Sequence, residues 1–251
     1  MNVAVLIAGI ADPKWPLGAA QPRIAGPFDE SALEVALKLR DADPATTISL
    51  LVATPAGSKD DALARTAAAH RADHLFRVEI PLGIEWDARA QAALWKAALS
   101  QLAAAPDLVV MAREFGDRDD GTLPPCLAES LGGSFTALVQ QIRAAAGGFE
   151  MMRERGSREE RIECAAPALA SITNNRQNKL RHPLIKNVMA AKKASIAMLE
   201  VEAPAAAHVR LETLAAAALP ARAGKCRMLE GPVQARVDAL ADYLRPWRAR
   251  A

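Results

Sequence analysis

The stretch that decides the fold runs from Asp107 to Gly133 and reads DLVVMAREFGDRDDGTLPPCLAESLGG. Its first part, Leu108 to Met111, is a short apolar run of the kind that forms a parallel strand buried on both faces. A polar and acidic loop follows over residues 112–121, and Leu123 to Leu131 then reads as a helix with its prolines in the first turn. This order predicts a ligand site, because open parallel sheets bind ligands at the carboxyl ends of their strands.

The helix that begins at Leu123 suits a phosphate, because unpaired N–H groups and the positive end of the helix dipole attract anions. The loop before it is unusually acidic for that purpose. An ordinary solvated loop between strand and helix is therefore the alternative interpretation.

Strands and helices alternate through the first half of the chain. Strand patterns occupy residues 3–8, 47–53 and 74–78, and helical patterns begin at Pro27 and occupy 58–71 and 88–103. Such alternation predicts βαβ units and a parallel sheet with right-handed crossovers. After Gly133 the pattern changes to short strands with hairpin turns, at 135–142, 149–155 and 161–164, before a buried strand at 167–172. The sequence thus predicts an α/β fold with a small antiparallel addition.

Composition limits the classes of function. With 251 residues, 51% of them hydrophobic, the chain can form one large domain plus an appendage. A net charge of +2 gives no overall field that favours nucleic acid or a membrane surface. No apolar run reaches the roughly 20 residues of a membrane span, and Met1 leads into a strand without the basic start of a signal peptide. We therefore expect a cytoplasmic protein without membrane insertion.

Residues that carry chemistry are sparse. The three cysteines lie far apart and the four histidines form no cluster with ligand spacing, so we expect neither a disulfide framework nor a metal site. The first strand is not followed by GxGxxG, and neither a P-loop nor a GxSxG elbow occurs. No catalytic residues are predicted.

The segment Asn174 to Lys193, here called the basic segment, contains six lysines and arginines and no acidic residue. It is a solvated loop, a nucleic-acid patch or a docking surface for an acidic protein. Nucleic acid is the weaker option, because the segment lacks aromatic residues on which bases stack. The docking hypothesis makes Leu184 and Ile185 an exposed apolar anchor, whereas the alternative makes them core residues. Its contact residues would be Leu184, Ile185, Asn187, Met189, Lys192 and Lys193.

The C-terminal part reads as an arm that ends in a helix. Residues Ala203 to Gly224 form an alanine- and proline-containing tract with little periodicity. An apolar stripe then recurs at helical spacing in Val233, Val237, Leu240 and Leu244. A lone amphipathic helix must bury its stripe on its own domain, on a second subunit or on a membrane surface. We place a nucleotide-binding-like domain at residues 1–202 and the arm and helix at 203–251.

Four segments in consistent order resemble one family, the beta subunit of electron-transfer flavoproteins. They are Gly26–Leu37, Arg65–Asp73, the strand Leu108–Met111 with its loop Asp117–Asp120, and Lys186–Lys193. The resemblance implies a Rossmann-like domain of the adenine-nucleotide α-hydrolase-like type. It also implies a heterodimer with an alpha subunit that holds most of the FAD, and an AMP buried in the beta subunit. Electrons would pass from flavin-dependent dehydrogenases to a quinone oxidoreductase or similar acceptor.

The same resemblance places the AMP on the first helix and the acidic loop, at Pro27, Phe28, Asp29, Asp117, Asp119 and Thr122. Gly26, Leu123 and Pro124 replace family residues that orient the nucleotide or bring polar groups to its phosphate, so we expect a weakened site. A stand-alone adenine-nucleotide-binding regulatory module is the rival interpretation, with a nucleic-acid binder as a third. The arm and its helix favour the heterodimer, since a stand-alone domain needs no such clasp.

Overall fold

The computed structural model describes residues 1–14, 22–58, 61–81, 83–84, 86–116, 121–202 and 226–248. The chain divides into two compact units, Met1–Leu211 and Glu212–Ala251. The predicted arm, residues 203–224, lies outside the described residues. The predicted boundary between residues 202 and 203 stays a prediction.

The first unit contains all the strands that the structure describes and five α-helices. The strands are β1 (Asn2–Ile7), β2 (Ile10–Ala11), β3 (Arg23–Ile24), β4 (Thr47–Pro55), β5 (His74–Ile80), β6 (Leu108–Ala112), β7 (Ser134–Val139), β8 (Gln141–Ala145), β9 (Gly148–Arg155), β10 (Arg158–Ala165), β11 (Ala168–Ile172) and β12 (Ala197–Leu199). The helices are α1 (Pro27–Ala42), α2 (Ala62–Ala68), α3 (Ala88–Ser100), α4 (Leu123–Leu131) and α5 (Ile185–Ala191).

A parallel sheet forms the centre of this unit, in the order β12-β5-β4-β1-β6-β11-β7. Strand β1 lies in the middle, where Val5 is opposite Leu50 of β4 and Val110 of β6. Antiparallel strands β8, β9 and β10 form a separate small sheet. The predicted α/β fold with an antiparallel addition is confirmed.

Apolar layers cover both faces of the central sheet. On one face Val5 and Ile7 pack with residues of α1 and α2 such as Leu37. On the other, Leu6 packs with Trp95 of α3 and Leu127 of α4. Both faces are buried, which explains why the strands read as continuous apolar runs rather than as alternating ones.

The predicted strand over residues 135–142 is wrong, because the structure divides it at Gln140 between two sheets. Strand β7 joins the central sheet beside β11, and β8 pairs with β9. Two features separate them: Leu138 adopts a left-handed φ of 60°, and the N–H of Gln140 donates to the carbonyl of Met152 at 2.8 Å. The hairpin turns predicted at Gly147 and Gly156 are confirmed.

The predicted helix over residues 58–71 is also too long, since α2 spans Ala62–Ala68. At its far end the chain leaves the helical conformation at Arg71, whose φ is 58°. The first strand, the second strand and α3 lie within a few residues of their predicted bounds, and α4 has the bounds predicted from the sequence.

In the second unit the structure describes one helix, α6 (Val233–Arg248). The predicted apolar stripe of Val233, Val237, Leu240 and Leu244 is between 48% and 67% exposed. None of the helices in the described part of the chain is long and apolar enough to cross a membrane.

Candidate functional site

The predicted nucleotide site lies at the edge of the sheet where β1 and β6 end, and is here called the carboxyl-edge site. The two strands are parallel neighbours, so the residues that follow them meet at one edge. Helix α1 begins there with Pro27, which is exposed, and Phe28, which is half-buried. Asp117 and Asp119, also predicted for this site, lie outside the described residues.

Asp29 fastens the loop after β1 to the start of α1. Its Oδ2 accepts hydrogen bonds from the backbone N–H of Gly9 at 3.1 Å and of Gly26 at 3.0 Å. Gly26 occupies the N-cap position of α1 but has no side chain that could accept a hydrogen bond. Asp29, the third residue of the helix, instead accepts from the Gly26 backbone N–H. The other oxygen, Oδ1, is buried and has no hydrogen-bond partner.

The carboxyl of Asp29 titrates above its ordinary range. Burial raises its pKa from 3.8 to about 6, against the lowering effect of the backbone N–H groups and of the Arg23 guanidinium. An acid whose charge is this poorly solvated is suited to local structure rather than to binding an anion such as AMP.

Two arginines that the sequence analysis did not assign to this site lie at it. From β3, Arg23 donates through Nε to the carbonyl of Ala8 at 3.1 Å and through Nη2 to that of Gly9 at 2.6 Å. After β6, the Arg113 guanidinium lies 5.1 Å from the centre of the Phe28 ring, within the range of a cation–π contact. No sequence signal marks Arg23, because its partners here are backbone carbonyls.

The N-terminus of α4 does not fit a phosphate. Thr122 precedes the helix and its side chain does not cap it. Pro124 and Pro125 carry no N–H, and the N–H of Cys126 already donates to the carbonyl of Thr122 at 3.3 Å. Of the first three helical residues, only Leu123 offers an N–H, whereas an anion site at a helix end uses several. The family-implied AMP therefore lacks its expected donors at this helix.

The basic segment forms a short 3-10 helix at Arg176–Asn178 and then α5. Leu184 is 60% exposed and Ile185 83%, so the alternative that these two are core residues is wrong, and Met189 is 53% exposed. Asn187 is half-buried, and Lys192 and Lys193 are exposed. The structure thus brings the six predicted docking residues to one short helix and its ends.

Helix α1 holds the first half of this segment. Buried Asn178 donates through Nδ2 to the carbonyl of Gln140 at 2.6 Å and accepts from Lys38 Nζ at 3.1 Å. Lys38 also donates to the carbonyl of Gln177. These contacts fasten the 3-10 helix to α1 and to the start of the small antiparallel sheet.

An ion pair fastens the segment one turn earlier on α1. Glu34 is only 5% exposed, and its carboxylate accepts from Arg181 Nη2 at 2.8 Å, from Nε at 3.1 Å and from the Arg181 backbone N–H at 3.1 Å. Asp41 lies 2.6 Å from the same guanidinium. Hydrogen bonds to Glu34 and then to Asp41 raise the pKa of Arg181, and the Arg181 contact lowers the pKa of Asp41.

Metal ligation has no support in the part of the chain that the structure describes. No group of three histidine, cysteine, aspartate or glutamate side chains is placed to hold an ion there. The cysteines Cys126, Cys164 and Cys226 are free thiols.

The comparison with known proteins decides the family. The model of the electron transfer flavoprotein domain matches residues 18–204. The chain belongs to the electron transfer flavoprotein family. The match includes the start of α1, β6 and the basic segment, and the resemblance predicted from the sequence is confirmed.

Three relatives carry the name electron transfer flavoprotein subunit beta, and each is 29% identical to this chain. The protein of Syntrophomonas wolfei aligns over 209 residues, 83% of this chain and 79% of its own length. That of Megasphaera elsdenii aligns over 194 residues, 75% and 70%. That of Bradyrhizobium diazoefficiens aligns over 171 residues, 68% and 66%.

The raised pKa of Asp29 predicts a pH-dependent stability. Its folded-state pKa of about 6 exceeds the ordinary 3.8. The contribution of this carboxyl to stability is therefore fully present below pH 3.8 and is lost as the pH rises through 6. The difference corresponds to about 3 kcal/mol. Asp29→Asn keeps an oxygen for the two N–H groups and carries no charge. The free energy of unfolding of Asp29→Asn minus that of wild type should therefore be about 2–3 kcal/mol larger at pH 7 than at pH 4. Urea denaturation at the two pH values measures it.

Glu30→Gln is the matched control, because Glu30 is the exposed acid one residue later. Its unfolding free energy should follow the wild-type curve. Parallel pH profiles for Asp29→Asn and wild type would contradict the assignment.

Proposed function

We propose that this chain is the beta subunit of a heterodimeric electron transfer flavoprotein, a redox carrier without turnover of a substrate of its own. The observation that supports this most is the exposed basic and apolar surface of α5, which follows residues held on α1 and lies within the family-matched residues. The names of its relatives agree with the proposal.

The proposed alpha subunit holds most of the FAD, which accepts electrons from a donor and passes them on. Helix α6 is the element proposed to clasp that subunit. Its stripe of Val233, Val237, Leu240 and Leu244 is at least about half exposed. Burying the surface that these four side chains still expose contributes roughly 3–6 kcal/mol before the cost of ordering is subtracted.

Co-expression tests the heterodimer. With the alpha subunit of the same organism, the full chain should purify as a yellow 1:1 complex, measured by flavin absorbance and by light scattering. Val237→Asp together with Leu240→Asp should cut the yield of complex at least tenfold, because the substitutions place charges in the stripe that the alpha subunit is proposed to cover. Ala235→Asp, which adds a charge outside that stripe, should leave the yield within twofold. A colourless, monodisperse monomer that never pairs would favour the stand-alone regulatory module.

The basic segment is proposed to dock the flavin-dependent dehydrogenase that donates electrons, and a quinone oxidoreductase-type protein is the proposed acceptor. The positive charges of the basic segment raise the encounter rate with an acidic dehydrogenase, and the apolar anchor of Leu184 and Ile185 extends the lifetime of the complex. Nucleic acid is less favoured, because Arg181 is engaged by Glu34 and Asp41 and is not available to a phosphate backbone.

Ile185→Ala tests the docking surface. Its side chain is 83% exposed, so the melting temperature and flavin content should stay at wild-type values, whereas electron transfer from the dehydrogenase should fall at least about fivefold. The assay uses the purified flavin-dependent dehydrogenase of the same organism that reduces the wild-type complex fastest. Met198→Ala removes an exposed apolar side chain from β12 and should leave the rate unchanged. Equal rates for Ile185→Ala and wild type would place docking elsewhere.

The carboxyl-edge site is proposed to bind AMP weakly or not at all. In support, α4 presents one N–H in its first turn, and Arg23 is engaged with two backbone carbonyls. Each lost hydrogen bond to a charged phosphate is worth roughly 1.5–3 kcal/mol. Two or three such losses lower the affinity by several orders of magnitude.

Nucleotide content tests this point. Denaturing the purified complex and separating the released nucleotides by chromatography should give flavin with far less than one equivalent of AMP. Pro124→Gln returns an N–H and an amide to the first turn of α4, and should raise the AMP content after incubation with AMP. Stoichiometric AMP in the wild-type complex would show that the loop of residues 117–120 supplies enough donors without the helix.

A further inference from the structure

We propose that Arg65 of α2 is a positioning residue for the docking surface: it holds the C-terminal end of α5 so that Ile185 and Met189 face the partner in a fixed orientation. The proposal rests on the docking function proposed above and extends it to a residue outside the basic segment.

The guanidinium of Arg65 donates hydrogen bonds to backbone carbonyls at the end of α5. Its Nη1 lies 2.8 Å from the carbonyl oxygen of Lys192, 3.2 Å from that of Ala194 and 3.3 Å from that of Ala191. The last carbonyls of a helix lack partners within the helix and form the negative end of its dipole. The two N–H groups of Nη1 are shared among these three carbonyls, and the positive charge favours the helix electrostatically.

Helix α5 needs such a hold because its other sources of stability are small. It has seven residues, far below the length at which an isolated helix persists in water. Ala191 is its one buried residue, so side-chain packing against the core contributes little. Its apolar side chains, which would ordinarily stabilise it by burial, point outward at Ile185 and Met189. Polar contacts at its ends must therefore fix its orientation.

Arg65 is itself held in place. Its Nη2 lies 3.4 Å from Asp61 Oδ2, four residues earlier in the chain, and Asp61 also pairs with Arg77 of β5. The side chain of Arg65 is 36% exposed. Its guanidinium is thus tied to the central sheet through Asp61, while Arg181 and Glu34 tie the residues before α5 to α1. The exposed anchor lies between two fixed points.

This arrangement affects the affinity for a partner rather than the redox step. A surface that is ordered before binding avoids the cost of immobilising side chains and backbone during association. Loosening α5 should therefore raise the dehydrogenase concentration at half-maximal rate, KM, and leave the maximal rate, kcat, unchanged.

The test uses the flavin-loaded heterodimer with Arg65→Ala, Arg65→Lys and Arg40→Ala. Arg40 is a matched control, because it makes the same type of contact to carbonyls outside the basic segment, those of Arg71 and His70. Two quantities are measured: hydrogen exchange of the amides of residues 188–194, and KM and kcat with the dehydrogenase selected above.

Arg65→Ala should speed the exchange of these amides about tenfold and raise KM about five- to twentyfold at constant kcat, since several charge-assisted hydrogen bonds are lost. Arg65→Lys keeps the charge and should recover part of both effects. Arg40→Ala should change neither by more than about twofold.

The proposal is overturned if Arg65→Ala leaves hydrogen exchange at residues 188–194 unchanged. It is also overturned if Arg65→Ala speeds this exchange but leaves KM unchanged, while Ile185→Ala raises KM. It is also overturned if Arg40→Ala matches the effects of Arg65→Ala. If Ile185→Ala leaves KM at the wild-type value, docking itself is at another surface, and the exchange data still decide whether Arg65 orders α5.

Discussion

The ion pair between Glu34 and Arg181 is the contact on which the proposed working surface depends. Glu34 lies in the middle of α1 with its carboxylate almost fully buried, and Arg181 satisfies it with both its guanidinium and its backbone N–H. A buried carboxylate without a cation costs several kcal/mol, so this carboxylate requires the basic segment to stay where it is. The pair is more a constraint on position than a source of stability, because desolvation offsets much of its attraction.

Helix α1 connects the two candidate sites. At its first turn Asp29 ties the helix to the loop after β1, and further along Glu34 and Lys38 hold the basic segment. Both contacts lie on a helix whose apolar face packs on the central sheet. One helix packed on the sheet thus positions both the start of the carboxyl-edge site and the residues that lead into the exposed helix α5.

The sequence predicts most of the sheet, because strands buried on both faces leave short apolar runs, and the proline before Leu108–Met111 and the polar loop after it keep that run too short for a helix. It does not predict the division at Gln140, since a run rich in strand formers says nothing about which sheet each half joins. Nor does it predict the partners of Glu34 and Arg181, which are 147 residues apart. The contact between Arg65 and α5 could not be predicted either, because its acceptors are backbone carbonyls, which every residue carries.

The central claim is that the exposed side chains of α5 contact the electron donor. The most direct measurement places a photo-crosslinking amino acid at position 185 of the flavin-loaded heterodimer and illuminates it with the purified dehydrogenase. The account predicts a covalent product that contains the dehydrogenase, and none from the same amino acid at Ala144, an exposed position on β8. A product with the alpha subunit in place of the dehydrogenase, or equal yields from both positions, would contradict it.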